Sequence, residues 1–488
     1  MIRRILIISC VLVTSACSWQ NKKVVAVNTN TSTLENESSD FRAQPPVAKA
    51  EPQITPPVAI RYRLDNGLLI FVVPKHDLPL VSINVVFKSG SASDPQQLSG
   101  VAGFVGEMLL SGTKTRSAKE LASEIETYGT HLNVQVNEDD IHISSLALKN
   151  YWIKVLAILA DAITNSTFSD EELQRVRKKR IASIAKELDD PETLAMRVLR
   201  KAVFAEHPYA HTVLGNKKDA EAIKHSDIIA YVNENLHAAN AALIVIGDIT
   251  TQQVIDQATK HFSEWQGKPS AKQQISDANL KPAKVVILNR PKAQLSFIML
   301  GQLGIARNSG DYLPTVLMNS VLGGMFNSRL NMNLREDKGY TYGAYSYFDS
   351  MRYTGIFLAA AGVRTDVTIP ALREFYTEIK RIKENGITVD ELKHAKNGIT
   401  LSLPARFQTV SSIASMIRNI YLYDFKLTYY NDLSKMINEI DLNAVQSAAK
   451  EHLAIDNLSL VIVGDYNTFK TELNKLDLGA IEVRETYH

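Results

Sequence analysis

Arg335 and Tyr342 are the two side chains in this sequence whose types and spacing best suit work on a peptide bond. They stand seven residues apart, since 342 − 335 = 7. A guanidinium and a phenol both donate hydrogen bonds, which suits a peptide carbonyl and the oxyanion that forms when it is attacked. The local pattern predicts that Arg335 ends a helix, Gly339 breaks it and Tyr342 begins a strand, so that a turn brings the two together. Types and spacing alone favour a plainer outcome. In it, Arg335 pairs with a neighbouring acid and Tyr342 packs in the tyrosine-rich strand YTYGAYSYF.

A second stretch, Ser99 to Thr113, reads SGVAGFVGEMLLSGT and is predicted to be helical. Positions i, i+3 and i+4 share a helix face, and here they are Gly103, Gly106 and Glu107. The frame Gly100, Met108, Gly112 and Thr113 resembles G-x-x-H-x-x-E-H-M-x-x-x-G-T, the motif of the insulinase, pitrilysin and mitochondrial-processing-peptidase family of inverzincins. The resemblance implies that Gly103 stands for the first zinc-binding His, Gly106 for the general base and Glu107 for the second His. The family's last ligand, a Glu on a helix followed by D-D-P, falls on Ser183, counting back from Asp189-Asp190-Pro191. Glycine has no donor atom, and one carboxylate cannot supply the three protein ligands of a catalytic zinc. No metal is therefore expected in this chain.

Two other ligand sets deserve weighing. Glu107 with Glu187 offers oxygen to a hard cation, but such carboxylates more often face solvent or pair with bases such as Lys179, Arg180 and Lys186. His207 and His211 form an i, i+4 pair, but Pro208 and the missing Glu argue against a metallopeptidase helix. Gly103 and Gly106 each cost a helix roughly 1 kcal/mol relative to alanine. Either relaxed selection admitted them, or a smooth face leaves room for a partner or a peptide backbone.

The second half carries an intact pattern. Gly323 to Leu330, GGMFNSRL, followed by Leu334-Arg335-Glu336 and Tyr342, resembles the family's G-G-x-x-x-S-R-L and L-R-E-x-x-G-x-x-Y. The resemblance implies that Arg335 and Tyr342 hydrogen-bond the substrate backbone. In some members of the family one subunit carries zinc and another, lacking it, supplies this Arg and Tyr. The expected partner is thus a zinc-bearing homologous subunit, with zinc on that chain, and the expected substrate is a peptide. A scaffold or peptide-binding protein and an autonomous zinc peptidase are the alternatives.

The supporting body is written twice. Pro74 and Pro291 of matching V-P-K and R-P-K segments lie 291 − 74 = 217 residues apart, and NAALIVIGD at Asn240 recurs as NLSLVIVGD at Asn457, again 217 later. That period is far longer than a solenoid repeat and predicts a duplicated domain. The expected class is α+β, each copy a mostly antiparallel sheet with packed helices. The family implies that two such domains form one half of a clam-like chamber. The boundaries expected are 58–266 and 282–488, with a polar linker at 267–281.

Residues 1–16 read as a secretory signal peptide, with Arg3 and Arg4 before a short apolar run. The run is shorter than the roughly 20 residues of a spanning helix. Thr14-Ser15-Ala16-Cys17 resembles a bacterial lipobox, with Thr14 in place of the usual aliphatic residue, and makes Cys17 the expected lipidation site. Residues 17–57 are polar and without periodicity, as a disordered tether to a membrane is. Periplasmic exposure with an outer-membrane anchor follows as the expected location. The balance of 54 basic and 52 acidic residues, net +2, leaves no field suited to nucleic acid.

Overall fold

The computed structural model describes residues 55–266, 275, 278 and 281–485. The signal segment, nearly all of the tether and most of the linker lie outside the described residues.

Two six-stranded sheets carry the fold. The first is built from β1 (Ile60–Arg63), β2 (Leu69–Pro74), β3 (Leu80–Phe87), β4 (Asn133–Val136), β5 (Ile141–Leu148) and β6 (Ala241–Gly247). The second holds β7 (Val285–Asn289), β8 (Leu295–Leu303), β9 (Thr341–Ser350), β10 (Gly355–Arg364), β11 (Ser459–Gly464) and β12 (Ile481–Arg484). Their orders are β1-β2-β6-β3-β5-β4 and β12-β7-β11-β8-β10-β9. Aligning β2 with β7 and β6 with β11 superposes five strands in identical order, so the duplication is real. Each sheet is mixed but mostly antiparallel, as expected: β2 and β6 run parallel, as do β7 with β11 and β12. The sixth strand breaks the symmetry. β1 joins its sheet antiparallel from the amino-terminal side, while β12 arrives from the other end of the chain and runs parallel.

Local signals place the elements. Gly67, with φ +94°, makes the predicted turn between β1 and β2. Ser117 and Glu120 form a reciprocal capping box on the Ala118–Thr127 helix. The Ser82 and Asn84 alternation in β3 suggests a solvent face, yet both are buried, and Asn84 bonds Ser82 and His142 instead. The covering layer explains why. The Val410–Leu422 helix of the second half lays Ile413, Ile417, Ile420 and Tyr421 in one core with Phe71, Val73 and Ile244 of the first sheet. The Pro191–Phe204 helix of the first half returns the exchange, packing Leu194, Val198 and Leu199 with Met299, Leu358 and Val461. Each half thus covers one face of the other's sheet.

Polar bonds close the seam. Asp139 accepts from Tyr209 Oη at 2.5 Å and from the Arg352 backbone N–H at 2.8 Å. Burial pushes the Asp139 carboxyl from 3.8 up to about 6, against those bonds, which lower it. The folded chain therefore holds this proton more tightly than the unfolded chain. The stability it contributes is fully present below the unfolded value of 3.8 and is lost as pH rises through about 6. Asp139→Asn removes that decline. Relative to the parent, the variant gains on the order of 1–3 kcal/mol between pH 4 and pH 7, read from urea denaturation at the two values.

Candidate substrate-binding element and degenerate metal site

The Val101–Met108 helix begins at Gly100, with φ +98°. Asp94 caps it, its two carboxylate oxygens accepting from the Gly100 and Ala102 N–H groups at 2.7 Å each. Burial pushes the Asp94 carboxyl up to about 7. The helix is buried almost throughout, and its Gly103, Gly106 and Glu107 face a cleft of about 370 Å³. Arg175, Lys179 and Arg180 of the Asp170–Asp189 helix line the same cleft, with Val134 and Val136 of β4.

Arg180 dominates this face. Its Nη1 donates to Glu107 Oε1 at 2.8 Å and its Nη2 to the Val213 carbonyl at 2.7 Å, while the guanidinium lies 4.9 Å above the Phe104 ring. Its side chain is only 4% exposed, and Lys179 Nζ pairs with Glu107 Oε2 at 2.9 Å. The glycines are therefore not open space. A Cβ at position 103 would stand 2.7 Å from Arg180 Nη1 and 2.6 Å from the Val213 oxygen, and one at 106 would overlap a Val136 methyl. Both glycines therefore have close neighbours on one side while lining the cleft on the other. Gly106→Ala is expected to destabilise the chain by roughly 1–2 kcal/mol through overpacking, where helix propensity alone predicts a gain of about 1. Chemical denaturation distinguishes the signs.

A zinc ion needs about three protein donors, and these residues do not fit one. Glu107 is the single donor side chain of the four positions on the cleft, and two cations hold its oxygens. Ser183, one turn beyond Arg180, is half-buried and does not line the cleft. Glu187 pairs with Arg197 at 2.6 Å, which removes it from a carboxylate pair with Glu107. His207 and His211 are structural: His207 packs between Phe204 and Tyr209 and accepts the Tyr209 N–H at 3.1 Å. His211 lies 3.9 Å from Asp94.

Arg335 and Tyr342 sit on a different element. Met332–Asp337 is π-helical, a rare winding that is frequent at functional sites. Gly339, at φ +62°, ends it, and β9 begins at Thr341, as the sequence predicts. The flanking pattern is the scaffold. A side chain on Gly323 would collide with Ser346 of β9, so the glycine lets turn and strand touch. Arg329 grips Glu391 through two bonds of 2.8 and 2.7 Å, and Asn331 Nδ2 holds the Phe326 carbonyl at 2.7 Å. On this frame Arg335 lies 4.9 Å over the Phe326 ring, with its Nε 3.3 Å from Glu336.

Tyr342 does not join the tyrosine strand's packing. It is 99% exposed, while Tyr345 and Tyr347 stack on each other at 6.1 Å. Among the described residues no hydrogen bond joins Arg335 to Tyr342, and both keep donors free to turn outward. Phe326, 65% exposed, is an aromatic neighbour that the spacing argument does not single out.

Comparison with known proteins agrees with this layout. Residues 71–217 match the family profile described as Insulinase (Peptidase family M16), and residues 222–399 match the Peptidase M16 inactive domain. Among relatives, an uncharacterized zinc protease of Rickettsia bellii is 27% identical over 406 residues, covering 82% of this chain and 96% of its own. A non-peptidase homolog of Helicobacter pylori is 26% identical, covering 80% and 90%. A probable mitochondrial-processing peptidase subunit beta of Schizosaccharomyces pombe is 24% identical, covering 84% and 93%. The crystal structure of a peptidase M16 inactive domain from Pseudomonas fluorescens superposes with a TM-score of 0.79 at 25% identity, covering 83% of this chain and 97% of that one.

Proposed function

Because the chain belongs to the M16 (insulinase) peptidase family, we propose that it is the zinc-free, substrate-binding subunit of a two-component metallopeptidase of the cell envelope. Its partner is a zinc-bearing homologue, and the two chains enclose a peptide between them as halves of a clam-like chamber. The observation that carries this reading is the contrast between the two sites. The metal face is closed by an internal ion pair, while the Arg335 and Tyr342 element keeps its scaffold and presents its donors to solvent.

Arg335 and Tyr342 bind the carbonyl of the scissile peptide and the oxyanion that follows, and the attacking water is activated on the partner. A relative named as a subunit of a processing peptidase supports the division of labour, and one named as a non-peptidase homolog supports loss of self-sufficiency. Relatives named as zinc proteases favour an autonomous peptidase, but the donor set at Gly103, Gly106, Glu107 and Ser183 argues against it. A non-catalytic scaffold is the second reading, favoured by the same non-peptidase relative.

A signal peptide over 1–16 directs export and is removed, and lipid on Cys17 then holds the body at the outer membrane through the tether. Purification of the chain from native membranes is expected to bring with it a homologue containing an intact H-x-x-E-H motif. Recovery of the chain without such a companion would support the scaffold.

A further inference from the structure

The Arg180 guanidinium touches both places from which the family's two histidines would reach a metal. It bonds the Glu107 carboxylate at 2.8 Å and lies within 2.7 Å of where a side chain at 103 would begin. The second obstacle at 103, the Val213 carbonyl, is held by the same side chain at 2.7 Å. We propose that Arg180 is a built-in cation in the metal's position. Together with Gly103 and the Val213 carbonyl, it closes that position to divalent ions.

A buried guanidinium, 4% exposed, needs a carboxylate to offset its lost hydration, and Glu107 provides it. The guanidinium's breadth needs a position with no Cβ beside it, and Gly103 provides that. A divalent ion brought to the same face meets the positive charges of Arg180 and Lys179, both already paired with Glu107. The three residues are thus mutually dependent: the glycine exists for the arginine, and the arginine for the glutamate. The cation also does the metal's mechanical work, tying the Val101–Met108 helix to the Asp170–Asp189 helix. With this staple in place, restoring the ligands alone does not restore the metal.

This inference rests on the reading that the chain carries no metal, but its test uses the isolated chain. Its failure is therefore separable from failure of partner-dependent proteolysis. Two full-length variants are compared. One carries Gly103→His, Gly106→Glu, Glu107→His and Ser183→Glu with Arg180 kept, and the other adds Arg180→Ala. After incubation with zinc and gel filtration, elemental mass spectrometry is expected to find less than about a tenth of an equivalent in the first and close to one in the second. Equal zinc in the two, at any level, overturns the proposal.

A double-mutant cycle guards against misfolding of these four- and fivefold variants. Gly103→Ala is expected to lower the urea midpoint of the parent, and to lower that of the Arg180→Ala chain by less than half as much, since both obstacles at 103 depend on Arg180. Equal shifts in the two backgrounds also overturn it.

Discussion

In a complex reconstituted with its zinc-bearing homologue, Arg335→Ala with Tyr342→Phe is expected to lower peptide turnover about a hundredfold or more while leaving the chain folded. The magnitude follows from chemistry. Loss of one preorganised donor to an oxyanion costs about 10²–10³ in kcat, and this double change removes a guanidinium and a phenol together. Stability stays near the parent's because neither side chain holds the core. Tyr342 is 99% exposed, and Arg335 rests on Phe326 with only an exposed partner in Glu336. Steady-state kinetics beside a denaturation curve separate the two effects. The loss is expected in kcat more than in KM, because the oxyanion exists only beyond the ground state. Arg335→Lys is expected to fall between parent and double variant, since an ammonium keeps the charge but not the planar fork. Unchanged turnover in the double variant would remove these residues from the account.

The largest effect on stability is expected at the seam between the halves. Arg418, from the second half, holds Asp140 of the first through two bonds, one of them from Nε at 2.8 Å. Asp140 is 1% exposed, and it also accepts from the Asn137 side chain at 2.9 Å. Arg418→Ala leaves that carboxylate buried without its counter-charge, a change that costs about 3–5 kcal/mol. The companion variant Arg418→Ala with Asp140→Asn is expected to recover part of the loss, because the charge is gone along with its partner. Urea denaturation of the three chains tests this. Equal midpoints for parent and Arg418→Ala would show that the Arg418–Asp140 pair adds nothing to the seam.

Much of the architecture is legible in the sequence because it is a duplication. The 217-residue offset between NAALIVIGD and NLSLVIVGD becomes the shared place of β6 and β11 beside the parallel strands β2 and β7. Turn chemistry is local, so the turn at Gly67 and the helix stop at Gly339 are read correctly from neighbours in the chain. What depends on distant partners is not legible. Ser82 and Asn84 alternate as an exposed face would, and only the Val410–Leu422 helix, more than three hundred residues later, explains their burial. β12 takes the edge place that β1 holds in the first sheet, by parallel pairing that no local pattern announces.

The candidate site divides the same way. The four positions that the family resemblance aligns with zinc-site residues, and the Arg335 and Tyr342 pair, are found by motif spacing. Arg180 is visible only as one base among several in Arg177-Lys178-Lys179-Arg180, because its place above Gly103 is set by how two helices cross. The same crossing crowds Gly103, and strand β4 crowds Gly106, so two glycines that propensity counts as defects fit tight places in the fold. The π-helical turn under Arg335 is likewise hidden, since its winding differs from an α-helix by one hydrogen-bond step and leaves no signature in composition.

The most direct test of the central claim is peptide turnover during titration of this chain into a fixed amount of its zinc-bearing homologue. The account predicts no turnover by this chain alone, and activity that rises and saturates at one chain per homologue. Turnover by the isolated chain, sensitive to a zinc chelator, would contradict it.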